Sequence, residues 1–492
     1  MNKELIKNLE QIAGDDSVET SQGVCVSFAE DRSFTRGFSP AAVVSPTDDK
    51  QIEELVRYAK AEGLPLVPVS STGEHYRGDT VPARPDSIIV DLSKKNKILN
   101  ISRQQRIAVI EPGVTYPQLQ AALAEEGMTI SSSFAPRRGK SVIGSLLEIE
   151  PRMNCIHQWN YSEPLRCLGV TWGDGNTIFT GEAGRGPKDL PQQWDSQKWQ
   201  VTQAGPNMID FARLLTTAQG TMGIVSWASV KCEVKPTEHK SFFIESNDLH
   251  TLIDFNYDVI RPRFSDELFI INRTALESIT GADTSETGEW ICFCGIAGRP
   301  PLPQMRMQQQ ELDIRDIATK NGLTMKESLA GVDAEEFYQS VNGTCSGTYE
   351  NVWGGNWKDI RTGAHQEIPF VTTMDQTTRF NDLIEILLKE EQSGEALQAH
   401  SMYIQPQHCG TSAHMEFDFH YKGDDDFACE QMRRFLRKAQ ERLSEAGAYF
   451  SRPYGHLAKI QLNKDARTYN AQKRIKKIFD PEGIMNPGKL EL

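Results

Sequence analysis

The sequence lacks the cysteine patterns that mark metal clusters and disulfide scaffolds. Its nine cysteines are an odd number, and no two of them form a Cys-x-x-Cys pair. An iron–sulfur cluster or a zinc ribbon needs ligands at closer spacing, so most of these thiols are predicted to be reduced and packed. Cys292 and Cys294 share one face of a predicted strand, which favours burial over ligation.

A secretory signal and a membrane-spanning run are also missing. The first residues carry Leu5, Leu9 and Ile12 at helical spacing but no continuous apolar stretch. No uncharged run in the chain approaches the roughly 20 residues that a bilayer requires. We therefore expect a cytoplasmic protein without a membrane span.

Positive charge is scarce relative to negative charge. The formal net charge is −14, from 53 Lys and Arg against 67 Asp and Glu. Nucleic acid and anionic membranes bind clustered Lys and Arg, so neither is expected as a main partner. The length of 492 residues, 38% of them hydrophobic, allows two or three domains with a substantial core.

The stretch 68–78, PVSSTGEHYRG, matches neither the Rossmann fingerprint nor the P-loop pattern. It follows an apolar, strand-like run and turns at Gly73 and Gly78. Glycine lets the backbone approach a ligand closely, and successive N–H groups in such a turn can bind phosphate oxygens. A polar turn of this kind is most often a solvated connection, so the rest of the chain must decide.

Predicted helices and strands alternate in the first part of the chain. Residues 45–63 predict a helix that begins at a Thr47 cap and ends at Gly63. Thr115 is expected to form a capping box with Gln118 at the start of the next helix. Apolar runs predict strands at 64–70, 86–93 and 105–114. The alternation favours α/β or α+β architecture.

Further segments follow this opening in a fixed order. They are SIIVDLSKKNKIL with IAVIEPGVTYPQLQAAL, then APRRGKSVIGSLLE, GVTWGDGNTIFTG, QGTMGIVSWASVKCEVKP, and FDPEGIMNPGKLEL at the end. In this order they resemble the flavoproteins of the vanillyl-alcohol oxidase and para-cresol methylhydroxylase (PCMH) family. The resemblance covers residues 36–237 and the far C-terminus.

The resemblance implies an α+β fold in which FAD lies between two subdomains of a PCMH-type FAD-binding domain. A cap domain of antiparallel sheet backed by helices would face the flavin. In residues 412–421 of this cap, Met415, Phe417 and Phe419 alternate with polar side chains, as in a strand. The implied divisions are an N-terminal helical extension (1–35), the FAD-binding domain (36–237), the cap domain (238–465) and a C-terminal segment that returns to the FAD domain (466–492).

The resemblance also implies the cofactor-binding residues. Many relatives carry an Arg-Gly-Gly-Gly run in the first turn, where this chain has Ser-Ser-Thr-Gly-Glu. The turn would hold the pyrophosphate, a second loop would form the opposite wall, and a strand edge would face adenine and ribose. The residues are Val69, Ser70, Ser71, Thr72, Gly73, Glu74, His75, Tyr76, Pro136, Gly139, Ser141, Val142, Gly144, Ser145, Met222, Gly223, Ile224, Val225, Asn486 and Lys489.

His75 leaves two interpretations open. Family members with covalent flavin can carry the attachment histidine in a similar turn, and the alternative is a histidine that only hydrogen-bonds there. The second loop holds no cysteine for a thioether link.

Catalytic residues are implied less directly. Arg452 aligns with an anion-binding arginine of the phenol-oxidising members, and Tyr449 and Tyr454 lie near enough to replace the family's tyrosine. Glu163, or Asn160 by a different alignment, corresponds to a carboxylate near the flavin. An arginine stays charged at any working pH and can bind a phenolate or carboxylate.

A metal site is not predicted. His408, His414 and Glu416 are similar to the metal motif of 2-hydroxy-acid dehydrogenases in the wider superfamily, but the spacing is one residue short and the aspartate is missing.

The resemblance thus implies an FAD-dependent oxidoreductase that takes hydride from an anionic small molecule to flavin N5. The acceptor stays open between oxygen and a protein, although an acidic chain without a cluster of its own favours a separate electron carrier. A homo-oligomer is compatible with the sequence. The alternatives are a 2-hydroxy-acid dehydrogenase and a noncatalytic subunit that relays electrons. The noncatalytic subunit would have a cap pocket without converging polar groups.

Overall fold

The computed structural model describes residues 3–155, 164–186, 189–203, 205, 209–390 and 399–492. In these ranges, two sheets with covering helices form the N-terminal half, and one large antiparallel sheet organises the rest. The predicted α+β class is confirmed. None of the helices in the described part of the chain is both long and apolar enough to cross a membrane.

The N-terminal half is built from short elements. Its helices are α1 (Lys3–Ala13), α2 (Gln22–Ser27), α3 (Asp49–Glu62), α4 (Tyr116–Glu125), α5 (Val142–Leu147) and α6 (Leu190–Asp195). Its strands are β1 (Val18–Glu19), β2 (Ala42–Val44), β3 (Leu66–Val69), β4 (Ile88–Asp91), β5 (Ile98–Ser102), β6 (Ile107–Ile110), β7 (Met128–Thr129), β8 (Leu165–Trp172), β9 (Thr177–Phe179), β10 (Gly223–Lys231) and β11 (Glu233–Val234).

These strands form two main sheets. The first has the order β1-β2-β4-β3, with β2, β4 and β3 parallel and β1 antiparallel at the edge. The buried run Ile88–Val90 suits a parallel strand covered on both faces. The second sheet, β5-β6-β10-β8-β9, is antiparallel. The N-terminal extension therefore adds a strand to the first sheet.

The predicted helix caps differ from those observed. Asp48, not Thr47, is the N-cap of α3, because its carboxylate accepts the hydrogen bond from Gln51 N. Gly63 ends this helix at φ 66°, as predicted. Thr115 precedes α4 without a side-chain cap, and the amide of Gln118 instead donates to Asn96 O at 2.8 Å.

The C-terminal part contains the large sheet. Its helices are α7 (Leu249–Ile260), α8 (Arg273–Thr280), α9 (Pro303–Lys320), α10 (Ala334–Val341), α11 (Thr377–Glu390), α12 (Asp426–Glu445), α13 (His456–Leu462) and α14 (Ala466–Phe479). Its strands are β12 (Glu238–Ser246), β13 (Glu267–Asn272), β14 (Trp290–Gly298), β15 (Met325–Lys326), β16 (Ser328–Leu329), β17 (Val332–Asp333), β18 (Gly363–Thr372), β19 (Ala399–Gln407) and β20 (Ser412–Lys422).

This cap sheet has the order β15-β12-β14-β13-β19-β20-β18. On β20, Met415, Phe417 and Phe419 join the apolar core that also holds Phe380 of α11 and Phe435 of α12. The polar residues between them lie on the other face of the strand. That face is buried as well, so it carries charge into the interior.

The C-terminal segment returns to the first sheet. Asn486 N donates to Leu66 O, and Leu66 N donates to Ile484 O, each at 2.8 Å. Lys476 holds this segment from α14 by donating to Met485 O at 3.0 Å. The end of the chain therefore lies beside β3, immediately before the glycine turn.

Candidate active site

Two cavities meet at the turn that follows β3. The inner cavity, about 120 Å³, lies between the ends of β3 and β4, helix α5 and the start of β10. The polar cavity, about 190 Å³, lies between this turn and the cap sheet. Pro68, Val69, Ser70, Asp79 and Glu148 border both cavities. An extended ligand that crosses the turn could therefore occupy both.

Close backbone contacts fix the turn against a second loop. Thr72 N donates to Gly139 O at 3.0 Å, and Ser141 N donates to Ser71 Oγ at 3.1 Å. A Cβ on Gly139 would lie 2.8 Å from Thr72 O, so a side chain there would separate the loops. A Cβ on Gly144 would lie 3.2 Å from Ser70 Oγ, at the wall of the inner cavity.

Lys358 is the centre of a buried charge cluster in the polar cavity. Its Nζ lies 2.8 Å from Asp418 Oδ1 and 3.3 Å from Glu367 Oε2, and it also binds Glu416. Burial alone would lower the pKa of Lys358, but the three carboxylates raise it well above its usual value. Burial, with Glu416 and Glu367 nearby, raises the pKa of Asp418 well above its usual range. The lysine therefore stays charged.

Arg77 forms a second cluster that ties the turn to the cap. Its Nε donates to Glu367 Oε1 at 2.5 Å, and its Nη1 contacts Glu148 and lies 3.1 Å from Glu150 Oε1. Lys140 Nζ lies 2.8 Å from Glu148 and 3.2 Å from Glu150. Although burial opposes it, Lys140 and Arg77 hold the pKa of Glu150 well below its usual range. These charges are paired with one another.

Arg452 differs from these paired cations. Its side chain is 3% exposed and borders the polar cavity. Among the described residues, none forms a hydrogen bond with its Nη2, and the nearest carboxylate oxygen, Glu416 Oε2, lies 3.7 Å away. Glu416 is shared with His414, whose Nε2 lies 3.2 Å from the same oxygen. Arg452 thus keeps hydrogen-bonding capacity for an anion in the cavity.

Two family models match this chain at the segments that build the cavities. One, described as an FAD binding domain, matches residues 40–178. The other, described as the C-terminal domain of FAD linked oxidases, matches residues 454–490. The chain thus carries an FAD-binding domain and the C-terminal domain of FAD-linked oxidases. FAD is the cofactor of this flavoprotein.

Relatives and solved structures agree with these two family models. The chain is 27% identical to 1'-carboxy-chondrochloren decarboxylase from Chondromyces crocatus, over 56% of this chain and 48% of that protein. It is 26% identical to the flavoprotein subunit of 4-cresol dehydrogenase [hydroxylating] from Pseudomonas putida, over 46% of this chain and 40% of that protein. It is 27% identical to D-2-hydroxyglutarate dehydrogenase from Stutzerimonas stutzeri, over 45% of this chain and 44% of that protein. The matched region spans less than half of each of these relatives.

The fold matches PCMH-type structures across nearly the whole chain. A 4-ethylphenol oxidase from Gulosibacter chungangensis, in complex with isoeugenol, superposes with a TM-score of 0.81 at 17% identity. A p-cresol methylhydroxylase with substrate bound gives 0.80 at 18% identity. Each alignment covers 99% of this chain and 96% of the other. At this identity the likeness establishes the PCMH-type fold.

The residues present fit FAD. The inner cavity has apolar walls from Ile143, Met222 and Val225, and Gly144 keeps it open. Within the described ranges the Ser70 hydroxyl makes no hydrogen bond, although it borders both cavities. A hydroxyl placed there can donate to a phosphate or ribityl oxygen. An apolar channel that opens into a polar chamber suits a long cofactor with one buried end.

The structure divides the predicted cofactor residues into two groups. Those bordering the cavities are Val69, Ser70, Ser71, His75, Tyr76, Pro136, Gly144, Met222, Gly223 and Val225. Those not bordering them are Thr72, Gly73, Glu74, Gly139, Ser141, Val142, Ser145, Ile224, Asn486 and Lys489. Members of the second group mainly support the walls, and their assignment as direct FAD contacts stays a prediction.

Several members of the second group have clear structural partners. Glu74 pairs with Arg32 at the surface, and Ile224 is buried in the core of the first sheet. Ser145 Oγ donates to Glu150 at 2.6 Å. Lys489 Nζ donates to Val81 O at 2.8 Å, beside a separate small cavity. The strand alternation that brings Val225 to the channel turns Ile224 away from it.

The predicted catalytic residues are also divided. Tyr454 borders the inner cavity, and the Arg77 guanidinium lies 5.4 Å from its ring centroid. Tyr449 is not brought to either cavity: it is 56% exposed and borders a third one, because its backbone pairs with Val371 at the edge of β18. Glu163 and Asn160 lie outside the described residues.

The histidines suggested by the hydroxy-acid motif are not gathered into a ligand group. His414 contacts Glu416, whereas His408 belongs to the turn after β19 and does not border the polar cavity. Within the described ranges, the side chains close enough to share an ion are His365, Glu367 and Asp418. The Lys358 ammonium already pairs with both carboxylates, so we assign no metal ligands there.

His75 borders the polar cavity as a neutral imidazole. Burial, together with Arg137 and Lys140, lowers its pKa to about 4. This position is compatible with both predicted roles, a covalent link to flavin or a lining of the turn.

Sequence reasoning missed most of the charged chamber. Arg77, Lys358 and Glu367 were not predicted, and Glu416 was considered only as a metal ligand. One signal was present: β20 places Glu416, Asp418 and His420 opposite its apolar residues, and all are buried. Charges on the inner face of a buried strand are expensive unless paired, which points to a site.

Proposed function

We propose that this chain is an FAD-dependent oxidoreductase that takes hydride from a small anionic molecule and passes the electrons to a separate acceptor. The substrate bears a phenolate or a carboxylate. The observation that carries the proposal is Arg452, buried beside the FAD channel with Nη2 free of hydrogen bonds among the described residues. A guanidinium group that is buried away from water stabilises an incoming anion strongly.

FAD, when bound, supplies a two-electron acceptor whose N5 takes hydride. Arg452 binds the anionic group of the substrate, and Glu416 sets the direction of the guanidinium from 3.7 Å. Such anchoring lowers the entropy cost of bringing the reacting carbon to the flavin. In the described part of the chain, five cationic side chains border the chamber and balance its five acidic ones, so the chamber does not repel an anion. The cations are Arg77, Arg137, Lys140, Lys358 and Arg452.

An aromatic wall completes the chamber. Phe134 stacks on Tyr403 with ring centroids 4.6 Å apart, and Trp357 meets Phe134 edge-on at 6.1 Å. All three border the polar cavity. They exclude water and offer a surface for a flat substrate, which favours a phenol over a purely aliphatic acid.

A 2-hydroxy-acid dehydrogenase is the second candidate. The matches to D-2-hydroxyglutarate and D-lactate dehydrogenases support it, and Arg452 suits a carboxylate as well as a phenolate. The noncatalytic alternative predicts a cap pocket without converging polar groups. The cluster of Arg452, Glu416 and Lys358 argues against that alternative.

The acceptor and the setting belong to the same proposal. One matched relative is the flavoprotein subunit of a cresol dehydrogenase, which supports an electron-carrier partner here. We also propose a cytoplasmic location, with a homo-oligomer compatible with it. Catalytic roles for Tyr454 and Glu163 remain part of the proposal.

The function is tested by anaerobic reduction of the FAD-loaded protein. Acid precipitation first establishes the cofactor: free FAD in the supernatant indicates noncovalent binding, and flavin in the pellet indicates a link that His75→Ala should abolish. 4-Methylphenol, 4-ethylphenol, D-lactate and D-2-hydroxyglutarate are then mixed with the protein. We expect the phenols to bleach the flavin absorbance. Bleaching by the hydroxy acids alone would favour the second candidate, and none by any of the four would contradict both.

A further inference from the structure

We propose that His365, Asp359, Tyr76 and Glu74 form a relay that carries a proton from the polar cavity to solvent. The inference rests on the proposed function, because oxidation of a phenol or an alcohol releases one proton for each hydride removed. Buried side chains such as His365 and Tyr403 border the cavity, and a chain of hydrogen-bonded groups would give that proton a defined path to the surface.

The inner end of the relay is His365 on β18. This side chain is buried and borders the polar cavity. Its Nδ1 lies 2.7 Å from Asp359 Oδ1. In the part of the chain that the structure describes, no hydrogen bond is formed with its other ring nitrogen, Nε2. One nitrogen can therefore take a proton from a substrate while the other gives one to Asp359.

The middle of the relay is the Tyr76 hydroxyl, which lies between two carboxylates. It is 3.0 Å from Asp359 Oδ2 and 3.1 Å from Glu74 Oε2. A phenol has one hydrogen and can donate it to only one of them. The second contact becomes a hydrogen bond only when a carboxyl group is protonated, so this arrangement accommodates one additional proton. Burial and both carboxylates raise the pKa of Tyr76, which keeps it a phenol.

The outer end reaches the surface through Glu74. Its side chain is 53% exposed and pairs with Arg32, which is 49% exposed. Arg32 is itself fixed, because its N–H donates to His75 O at 2.8 Å and its carbonyl accepts from Gln366 at 2.9 Å. The N-terminal extension therefore supplies the cation that positions the exit carboxylate.

The proton transfers balance. A phenol enters with its O–H bond intact and becomes the phenolate that Arg452 binds when this proton passes to His365 Nε2; in a hydroxy acid the proton comes from the alcohol. The C–H electron pair leaves with the hydride to the flavin. The Nδ1 proton passes to Asp359 Oδ1, and the carboxyl group turns to face Tyr76. Tyr76 oxygen then accepts this proton as its own hydrogen moves to Glu74 Oε2. Glu74 releases a proton to water, and the imidazole and carboxyl groups reset before the next turnover.

The relay is tested by measuring proton release and flavin reduction in the same stopped-flow experiment. A pH-indicator dye in weakly buffered solution reports the proton, and absorbance of bound FAD reports reduction by 4-methylphenol, or by whichever compound reduces the wild type. In Glu74→Gln and Tyr76→Phe we expect proton release to slow about tenfold or more, as for loss of a proton-transfer group. Small buffers such as imidazole should restore it. Glu30→Gln is the matched control, because Glu30 is an exposed glutamate paired with Arg36 outside the relay.

Unchanged proton release in FAD-replete Glu74→Gln and Tyr76→Phe would overturn the relay. If Tyr76→Phe loses FAD, the surface variant Glu74→Gln still decides. If no compound reduces the wild type, laser-flash photoreduction of the bound flavin by an added sacrificial electron donor draws a proton inwards without any substrate. Slower dye-detected uptake in Glu74→Gln than in Glu30→Gln would then support the relay although the proposed function had failed, and equal uptake would contradict it.

Discussion

The inner cavity and the polar cavity of this flavoprotein are built by opposite means. The inner cavity takes small and apolar residues from contiguous segments, such as 143–147 and 215–225. The polar cavity takes charged residues from places far apart in sequence, including Arg77, Glu367 and Arg452. A channel for a cofactor needs space and backbone donors, whereas a chamber for substrate needs charges whose burial other charges must compensate.

The difference predicts different failures on mutation. A glycine that borders the channel has little energetic role beyond leaving space, so its substitution should remove the cofactor and leave the fold. A charged residue of the chamber is held by several partners, so its loss should leave buried charges unpaired and lower stability.

The largest expected effect is on cofactor binding. In Gly144→Val the added side chain points toward Ser70 at the wall of the channel, where a Cβ alone would come within 3.2 Å. We expect complete loss of bound FAD with circular dichroism unchanged. Gly23→Val is the control, because a Cβ at Gly23 meets nothing within 4 Å. A yellow, FAD-replete Gly144→Val protein would contradict the assignment of the channel.

The next effect concerns stability. Lys358→Met leaves Glu367, Glu416 and Asp418 without their shared cation, and breaking a buried ion pair costs about 3–5 kcal/mol. Lys240→Met is the control: Lys240 also pairs with two glutamates, Glu311 and Glu327, but it is 39% exposed. Exposed pairs contribute about 0–1 kcal/mol. If Lys358→Met and Lys240→Met lose equal free energies of unfolding, measured in urea at pH 8, the charges of the chamber are not specially coupled.

A smaller effect is expected from pH. Burial, with Arg137 and Lys140, lowers the pKa of His75 from 6.5 to about 4, so between these values the unfolded chain binds the proton that the folded chain refuses. The free energy of unfolding should therefore fall as pH drops from 6.5 to 4, by on the order of 2 kcal/mol. His75→Gln should flatten this part of the curve in the FAD-free protein. An unchanged slope in that variant would show that His75 is not buried as a neutral ring.

His239 in the cap provides the opposite case. Burial would lower its pKa, but Glu267 and Glu335 raise it from 6.5 to about 10. The protonated His239 contributes fully to the free energy of unfolding below pH 6.5, and this contribution is lost as pH rises toward 10. In urea unfolding measured across pH, His239→Gln should therefore change how the free energy of unfolding depends on pH above 6.5. Below pH 6.5 the dependence should stay as in the wild type.

Local signals explain how much could be predicted. The glycine turn, Gly63 as a helix stop and the strand at 86–93 depend on neighbouring residues, so these signals sufficed for a mixed helix and strand fold. The FAD-binding family followed only from the resemblance to known flavoproteins. Thr47 was wrong as a cap because Asp48, one residue later, competes for the same role with a carboxylate that reaches Gln51 N. Such one-residue choices depend on backbone angles that composition does not specify.

The charged chamber could not be predicted because its members meet only in three dimensions. Lys358 lies in an irregular segment without periodicity, and Glu367 lies on β18, whose Pro369 weakens a strand signal although an edge strand tolerates it. Tyr449 and Tyr454 are close in sequence, yet the pairing of Tyr449 with Val371 sends them to different cavities. Resemblance could align these residues but not orient them.

The central claim is that Arg452 binds the anionic group of the substrate beside the flavin. The most direct test is kcat/KM for flavin reduction by the best compound of the panel, with FAD content matched among wild type, Arg452→Ala, Arg452→Lys and the surface control Arg442→Ala. We expect Arg452→Ala to lose at least about a hundredfold, which is about 2.7 kcal/mol of transition-state stabilisation. Arg452→Lys should lose less, because it keeps the charge without the paired donors, and Arg442→Ala should match the wild type. An FAD-replete Arg452→Ala protein that reduces at the wild-type rate would contradict the claim.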